Sequence, residues 1–151
     1  MSEQPKEISS EVAAREFGVN TLHEKMPNGE SRFRLTHSSG NGYILTIAGS
    51  VGAWQKSHSH HSISEVYVVE EGWIAFARLP DREGEPEIQV FGPGSVVQSE
   101  PDVPHNVYLP ISARIHTVKV GSREANDWFA EPILDAKVLH LREKDLLACK
   151  R

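Results

Sequence analysis

Gly52–Gly72 reads GAWQKSHSHHSISEVYVVEEG and carries three of the chain's eight histidines, His58, His60 and His61, followed by Glu65 and Tyr67. Successive side chains of a strand point to opposite faces, so His58 and His60 share a face and Ser59 takes the other. His61 falls one residue out of phase, which places it facing away or in the bend before the next strand. Beyond that bend, Glu65-Val66-Tyr67-Val68-Val69 resumes a β pattern, with Glu65, Tyr67 and Val69 on one face and Val66 and Val68 on the other. If the two strands are adjacent, two imidazoles and a carboxylate meet on one face, the start of a metal site. A single hairpin supplies no more than these, and a rigid site needs a ligand from elsewhere. His105, at the head of His105-Asn106-Val107-Tyr108, is the natural fourth.

Outward from this segment the chain is punctuated like an all-β protein. Arg32–Thr36, Tyr43–Ala48, Glu65–Val69, Trp73–Leu79, Glu87–Phe91, Ser95–Ser99, His105–Leu109 and Ala113–Val120 read as strands divided by glycine, proline and polar turns. The polar Pro80–Pro86 run reads as a solvated hairpin tip. Eight to ten short strands at such spacing imply a sandwich or barrel, and a jelly roll closes such a sheet with little free edge. Ahead of them, Ser9 or Ser10 caps a helix over Glu11–Phe17 that Gly18 ends. Beyond Gly121 the pattern lapses. Asp127-Trp128-Phe129 reads as an apolar plug under the barrel and Arg142–Ala148 as a short helix.

The 151 residues suit one domain with a core of its own, and 38% hydrophobic with 25% charged residues is a globular composition. A formal net charge of −5 offers no broad basic surface for nucleic acid or anionic membranes. No apolar run approaches the roughly 18 residues of a membrane span, and MSEQPKEISS lacks a secretory core, so a cytoplasmic protein is expected. Cys149, the single cysteine, has no internal disulfide partner.

On these residues the chain resembles the cupin superfamily. Gly52, His58, His60, Glu65 and Gly72 follow its first motif, G-x5-H-x-H-x4-E-x6-G, five matches over twenty-one residues. The run PGSVVQSEPDVPH, Pro93–His105, is similar to the second motif, with Gly94 eleven residues before the histidine. It departs in Ser95, where aspartate is common, in Glu100, where proline is usual, and in Asp102, where glycine is usual. The likeness covers roughly residues 43–120. It implies a cupin-type jelly-roll β-barrel over 31–121, an N-terminal arm over 1–30 with a short helix, and a C-terminal extension over 122–151 with another. It also implies that His58, His60, Glu65 and His105 hold one divalent metal inside the barrel.

Three imidazoles and one carboxylate suit iron, manganese, nickel, cobalt or zinc over magnesium or calcium. A six-coordinate metal keeps two positions for substrate; tetrahedral zinc closes the shell. The resemblance implies a metal-dependent enzyme on a small polar metabolite, a carboxylate, carbonyl or hydroxy-carbonyl compound. Tyr67, on the ligand face, is the candidate catalytic residue, donating to substrate or shuttling a proton, with core packing as its other reading. His116, Lys119, Tyr108, Arg34 and Lys56 are further candidates for the rim. With so few positioned bases, dioxygenase-type oxidation is favoured over a cupin isomerase, epimerase or lyase on a sugar or organic acid. A non-catalytic small-ligand module and a structural zinc site are the other readings. The expected partners are a small-molecule substrate and, through outward Val66 and Val68, a second copy in a homodimer.

Overall fold

Ser9 Oγ accepts the Val12 N–H at 3.3 Å and starts helix α1, Ser10–Phe17, which Gly18 ends in the left-handed conformation at φ 67°. The computed structural model describes residues 3–121 and 126–149, so 122–125 and 150–151 of the expected extension lie outside the described residues. After α1 come strands β1 (Val19–Lys25), β2 (Ser31–His37), β3 (Gly42–Ile47), β4 (Ala53–Trp54), β5 (His58–Ser59) and β6 (Ser64–Glu71). They are followed by β7 (Ile74–Arg78), β8 (Glu87–Phe91), β9 (Val96–Gln98), β10 (His105–Leu109), β11 (Arg114–Val120) and β12 (Phe129–Ala130). Helices α2 (Pro132–Val138) and α3 (Glu143–Leu147) complete the chain.

The strands form two antiparallel sheets, ordered β1-β2-β3-β11-β6-β9 and β12-β5-β10-β7-β8, with β4 pairing with β10 in the second. Every expected strand is present. The strand expected at His58 is β5, shortened to two residues; the additions are β1, which sits on the sheet edge with almost every side chain in solvent, and the two-residue strands β4 and β12. None has enough alternation to be read from sequence. The expected terminal helix is α3; α2, opened by Pro132, was not anticipated.

The two sheets face each other over a core that includes Tyr67, Val69, Val97 and Ile115 from one and Ile74, Phe76, Val107 and Leu109 from the other. The second sheet is buried on its far side too. There Ala75, Ala77, Leu79, Trp54 and Tyr108 pack with Leu134 and Val138 of α2 and Leu146 of α3. This is why β7 reads as a nearly unbroken apolar run and β10 is buried along its whole length, whereas β6 alternates buried and half-buried residues. Both glycines of the first motif have structural reasons. A Cβ on Gly52 would lie 2.2 Å from the Tyr108 hydroxyl, and Gly72, at φ 74°, turns β6 into β7. Among the described residues no helix is long and apolar enough to cross a membrane.

Leu146 anchors the last helix with no solvent exposure. Leu146→Ala is expected to destabilise the fold by about 2–5 kcal/mol, read from urea unfolding; a loss under about 0.5 kcal/mol would mean that α3 does not hold the second sheet.

Candidate metal centre

Antiparallel pairing sets His105 of β10 directly opposite His58 of β5, with ring centroids 4.4 Å apart. His60 follows just past the end of β5, on the same face as His58, at a centroid distance of 4.8 Å. Glu65 arrives differently from the sequence expectation. Strand β6 belongs to the opposite sheet and does not lie beside β5, so the carboxylate reaches the imidazoles across the interior. All four residues are buried, and one ligand atom from each lies within 4.8 Å of the others, a group that could hold a metal ion.

The three Nε2 atoms converge on one oxygen. Glu65 Oε1 lies 2.8 Å from His58 Nε2, 3.3 Å from His105 Nε2, and in contact with His60 Nε2. Each Nδ1 faces a backbone carbonyl: Lys56 O for His58 at 2.9 Å, Val103 O for His105 at 3.3 Å, and Asp127 O for His60. With the Nδ1–H groups donating outward, the Nε2 lone pairs point inward, the tautomer in which histidine ligates metals. Lone pairs and a carboxylate crowded together out of water require a cation among them. A divalent metal fits this donor set better than protonation of three neighbouring imidazoles.

Burial disfavours the charged Glu65, but where the imidazole Nε2 atoms carry protons, hydrogen bonds from His105, His58 and His60 outweigh it and hold the carboxyl well below its usual value. Burial lowers His58 despite the same carboxylate, whereas for His60 the Glu65 hydrogen bond and charge overcome burial and raise it. The second oxygen, Oε2, accepts the Tyr67 hydroxyl at 2.8 Å. Burial, then the adjacent Glu65 charge, push that phenol well above its ordinary value, so it stays a donor. Ser99 Oγ accepts the Glu65 N–H at 2.9 Å and fixes the strand beneath the carboxylate.

Asp127-Trp128-Phe129 is not an apolar plug. Trp128 and Phe129 are exposed, and the segment crosses the ligand loop. The Asp127 carboxylate accepts the N–H groups of His61, Ser62 and Ile63 at 2.7, 2.9 and 2.7 Å. Burial raises this carboxyl, yet those three donors leave it below its ordinary value. Trp128 stacks on His58 with 5.5 Å between centroids and 20° between planes. Phe129 and Ala130 then pair with Ser59 and His58, so β5 is held on both flanks. Sequence reading missed this support because an Asp-Trp pair has no local signature for contacts 66 residues away.

The remaining candidates divide. His61 is exposed, with Nδ1 2.9 Å from Asp102 Oδ1. Asp102 stands at φ 62°, which explains why this position of the second motif usually takes glycine and how an aspartate, tolerant of that conformation, substitutes. Lys119 is in register with Glu65 and shares its face, whereas His116 lies on the outer face, bonded to Tyr43 and Glu70. Tyr108 faces the helices, and Arg34 pairs with Glu24. Lys56 lines a cavity of about 540 Å³ beside His58.

No protein-family model matches the sequence, and no curated protein matches it. Solved structures do. Oxalate decarboxylase from Bacillus subtilis aligns with 85% of this chain at 17% identity and a TM-score of 0.59, and the chain spans 34% of its length. KdgF from Halomonas sp. aligns with 70% of this chain and 91% of its own, at 15% identity and a TM-score of 0.54. CapF aligns with 73% of this chain and 33% of its own, at 15% identity and a TM-score of 0.60. These are cupin-fold proteins, and the chain has the cupin fold that its two motifs implied.

His60→Ala and His105→Ala are each expected to abolish tight binding of zinc or cobalt, measured by calorimetric titration, while His61→Ala retains it. Equal losses in all three variants would remove the proposed distinction between ligands and neighbour.

Proposed function

We propose that the protein is a metal-dependent enzyme acting on a small polar metabolite at a centre formed by His58, His60, Glu65 and His105. The observation that carries this reading is a buried set of four converging donors with one of them, His58, on the wall of an open cavity. A purely structural ion would need no such opening.

A divalent metal bound there would supply Lewis acidity and, if redox-active, electrons for dioxygen chemistry. The protein's part is positioning. The Nδ1 bonds fix the rings, and the Tyr67 hydroxyl holds Glu65 Oε2 so that Oε1 turns toward the imidazoles. Tyr67 therefore acts through the carboxylate it holds. Among the described residues no carboxylate lines the cavity, and the phenol is engaged, so none of their acidic side chains stands ready as the general base of an isomerase or lyase. That shortage supports dioxygenase-type chemistry.

Iron-, manganese-, nickel-, cobalt- and zinc-loaded protein should be assayed with small carboxylic and hydroxy-carbonyl acids while oxygen uptake is followed. Turnover coupled to oxygen uptake is expected with iron, and Tyr67→Phe should keep the metal while slowing turnover about tenfold. Equal aerobic and anaerobic turnover would move the protein to the isomerases and lyases. Ligand binding without turnover for any metal would make it a binding module.

We further propose a homodimer through the outer face of the first sheet. Cross-strand rows there set Phe33, Leu45, His116 and Val68 in one line and Leu35, Tyr43, Val118 and Val66 in the next, whereas helices already cover the outer face of the second sheet. Sedimentation equilibrium should give twice the chain mass and Leu35→Lys the single mass; a monomeric wild type would end this reading.

A further inference from the structure

The cavity beside His58 has a chemical character of its own. Arg32, Lys56, Trp54, Trp128 and Leu139 line it along with His58, and among the described residues no acidic side chain does, although the whole chain carries a formal net charge of −5. Arg32 is held from behind the wall. Its Nε and Nη2 donate to Glu30 Oε1 at 3.2 and 2.9 Å, and Gln55 Nε2 donates to the same oxygen at 3.1 Å. Glu30 is only 1% exposed and is not part of the lining. The carboxylate thus orients the guanidinium and leaves Nη1 without a partner among the described residues. Glu30 cancels one of the two cations, so the site retains about one net positive charge, the complement of a monoanion.

The other wall is aromatic. One face of the Trp128 indole is covered by His58, and the residue is still 46% exposed, so the opposite face is open. Trp54 and Leu139 extend this apolar surface. At about 540 Å³ the cavity has room for a ring-bearing acid, well beyond a two-carbon one.

We propose that this cavity binds a small organic anion, with its single carboxylate held by Arg32 and Lys56 and its flat, apolar body on the open face of Trp128. The inference deepens the proposed function and rests on it only for the placing of the reactive end beside His58. Capture of the anion itself requires no metal.

Benzoate, benzamide and benzylamine are suitable probes, followed by tryptophan fluorescence and calorimetry on metal-loaded and on chelator-treated protein. Benzoate is expected to bind both forms, at least about tenfold tighter than benzamide, with benzylamine weakest. Lys56→Gln, a change at an exposed residue, should weaken benzoate several-fold and leave benzamide unchanged. The double variant Glu30→Gln/Arg32→Gln, which removes the guanidinium without stranding a buried carboxylate, should weaken benzoate about tenfold. Trp128→Ala should weaken both aromatic probes. Equal affinities for benzoate and benzamide would overturn the proposal. So would benzoate binding confined to metal-loaded protein and indifferent to these variants, or no saturable binding at millimolar concentration. Benzoate binding in a protein that takes up no metal would support this site while ending the enzyme reading.

Discussion

Everything near the centre of the protein is organised around one oxygen, Glu65 Oε1, on which three imidazole nitrogens from the opposite sheet converge. A charged carboxylate this far from water is tolerable only if each of its lone pairs is matched. The surrounding structure meets that demand. Tyr67 occupies the second oxygen, Ser99 holds the backbone beneath it, and backbone carbonyls orient the rings. The same contacts tie the two sheets together, because β6 lies between β11 and β9 in one and β10 lies at the middle of the other. Loss of any member would leave a buried polar group uncompensated, so the site and the packing of the sheets are not separable.

The sheets are not equivalent. The second is buried on both faces, with α2 and α3 supplying the outer layer through Leu134, Val138 and Leu146. That layer also serves the ligands. Glu131 accepts the Ser59 hydroxyl at 2.8 Å, and Asp135 accepts the Ser57 N–H at 3.0 Å, so the residues on either side of His58 are bound to the C-terminal segment. Strand β5 is only two residues long, too short to hold a ligand by pairing alone. The strand β12 and the two helices after residue 126 give the histidine strand the rigidity that its own pairing with β10 does not.

The space between the sheets is divided by aromatic rings. Phe76 stacks on His105 at 5.8 Å and 19°, and Tyr67 lies 5.8 Å from Phe76. On one side of these rings the interior is filled by aliphatic side chains such as Val69, Ile74 and Ile115; on the other, His58 and Trp128 give onto the cavity. One end of the jelly roll is therefore a packed core and the other a site, with the four donors at the boundary.

Of the group that could hold a metal, His58, His60 and Glu65 were legible because their information is local, and His105 joined them through the resemblance of the second motif. A period of two puts His58 and His60 on one face, five motif positions fall within twenty-one residues, and His105 opens an apolar strand. The strands were legible for the same reason, apart from β1, whose exposed edge has no apolar alternation, and the two-residue pieces β4 and β12. What the sequence by itself determined is which residues can ligate and that they lie on or next to strands, since side-chain chemistry and backbone period are properties of near neighbours. Only the tertiary structure decided that Glu65 reaches its partners across the interior, that Asp127 and Trp128 strap the ligand loop, and that Glu30 aims Arg32 beside His58. These depend on which distant segments pack together, and no spacing along the chain encodes a contact made between opposite sheets.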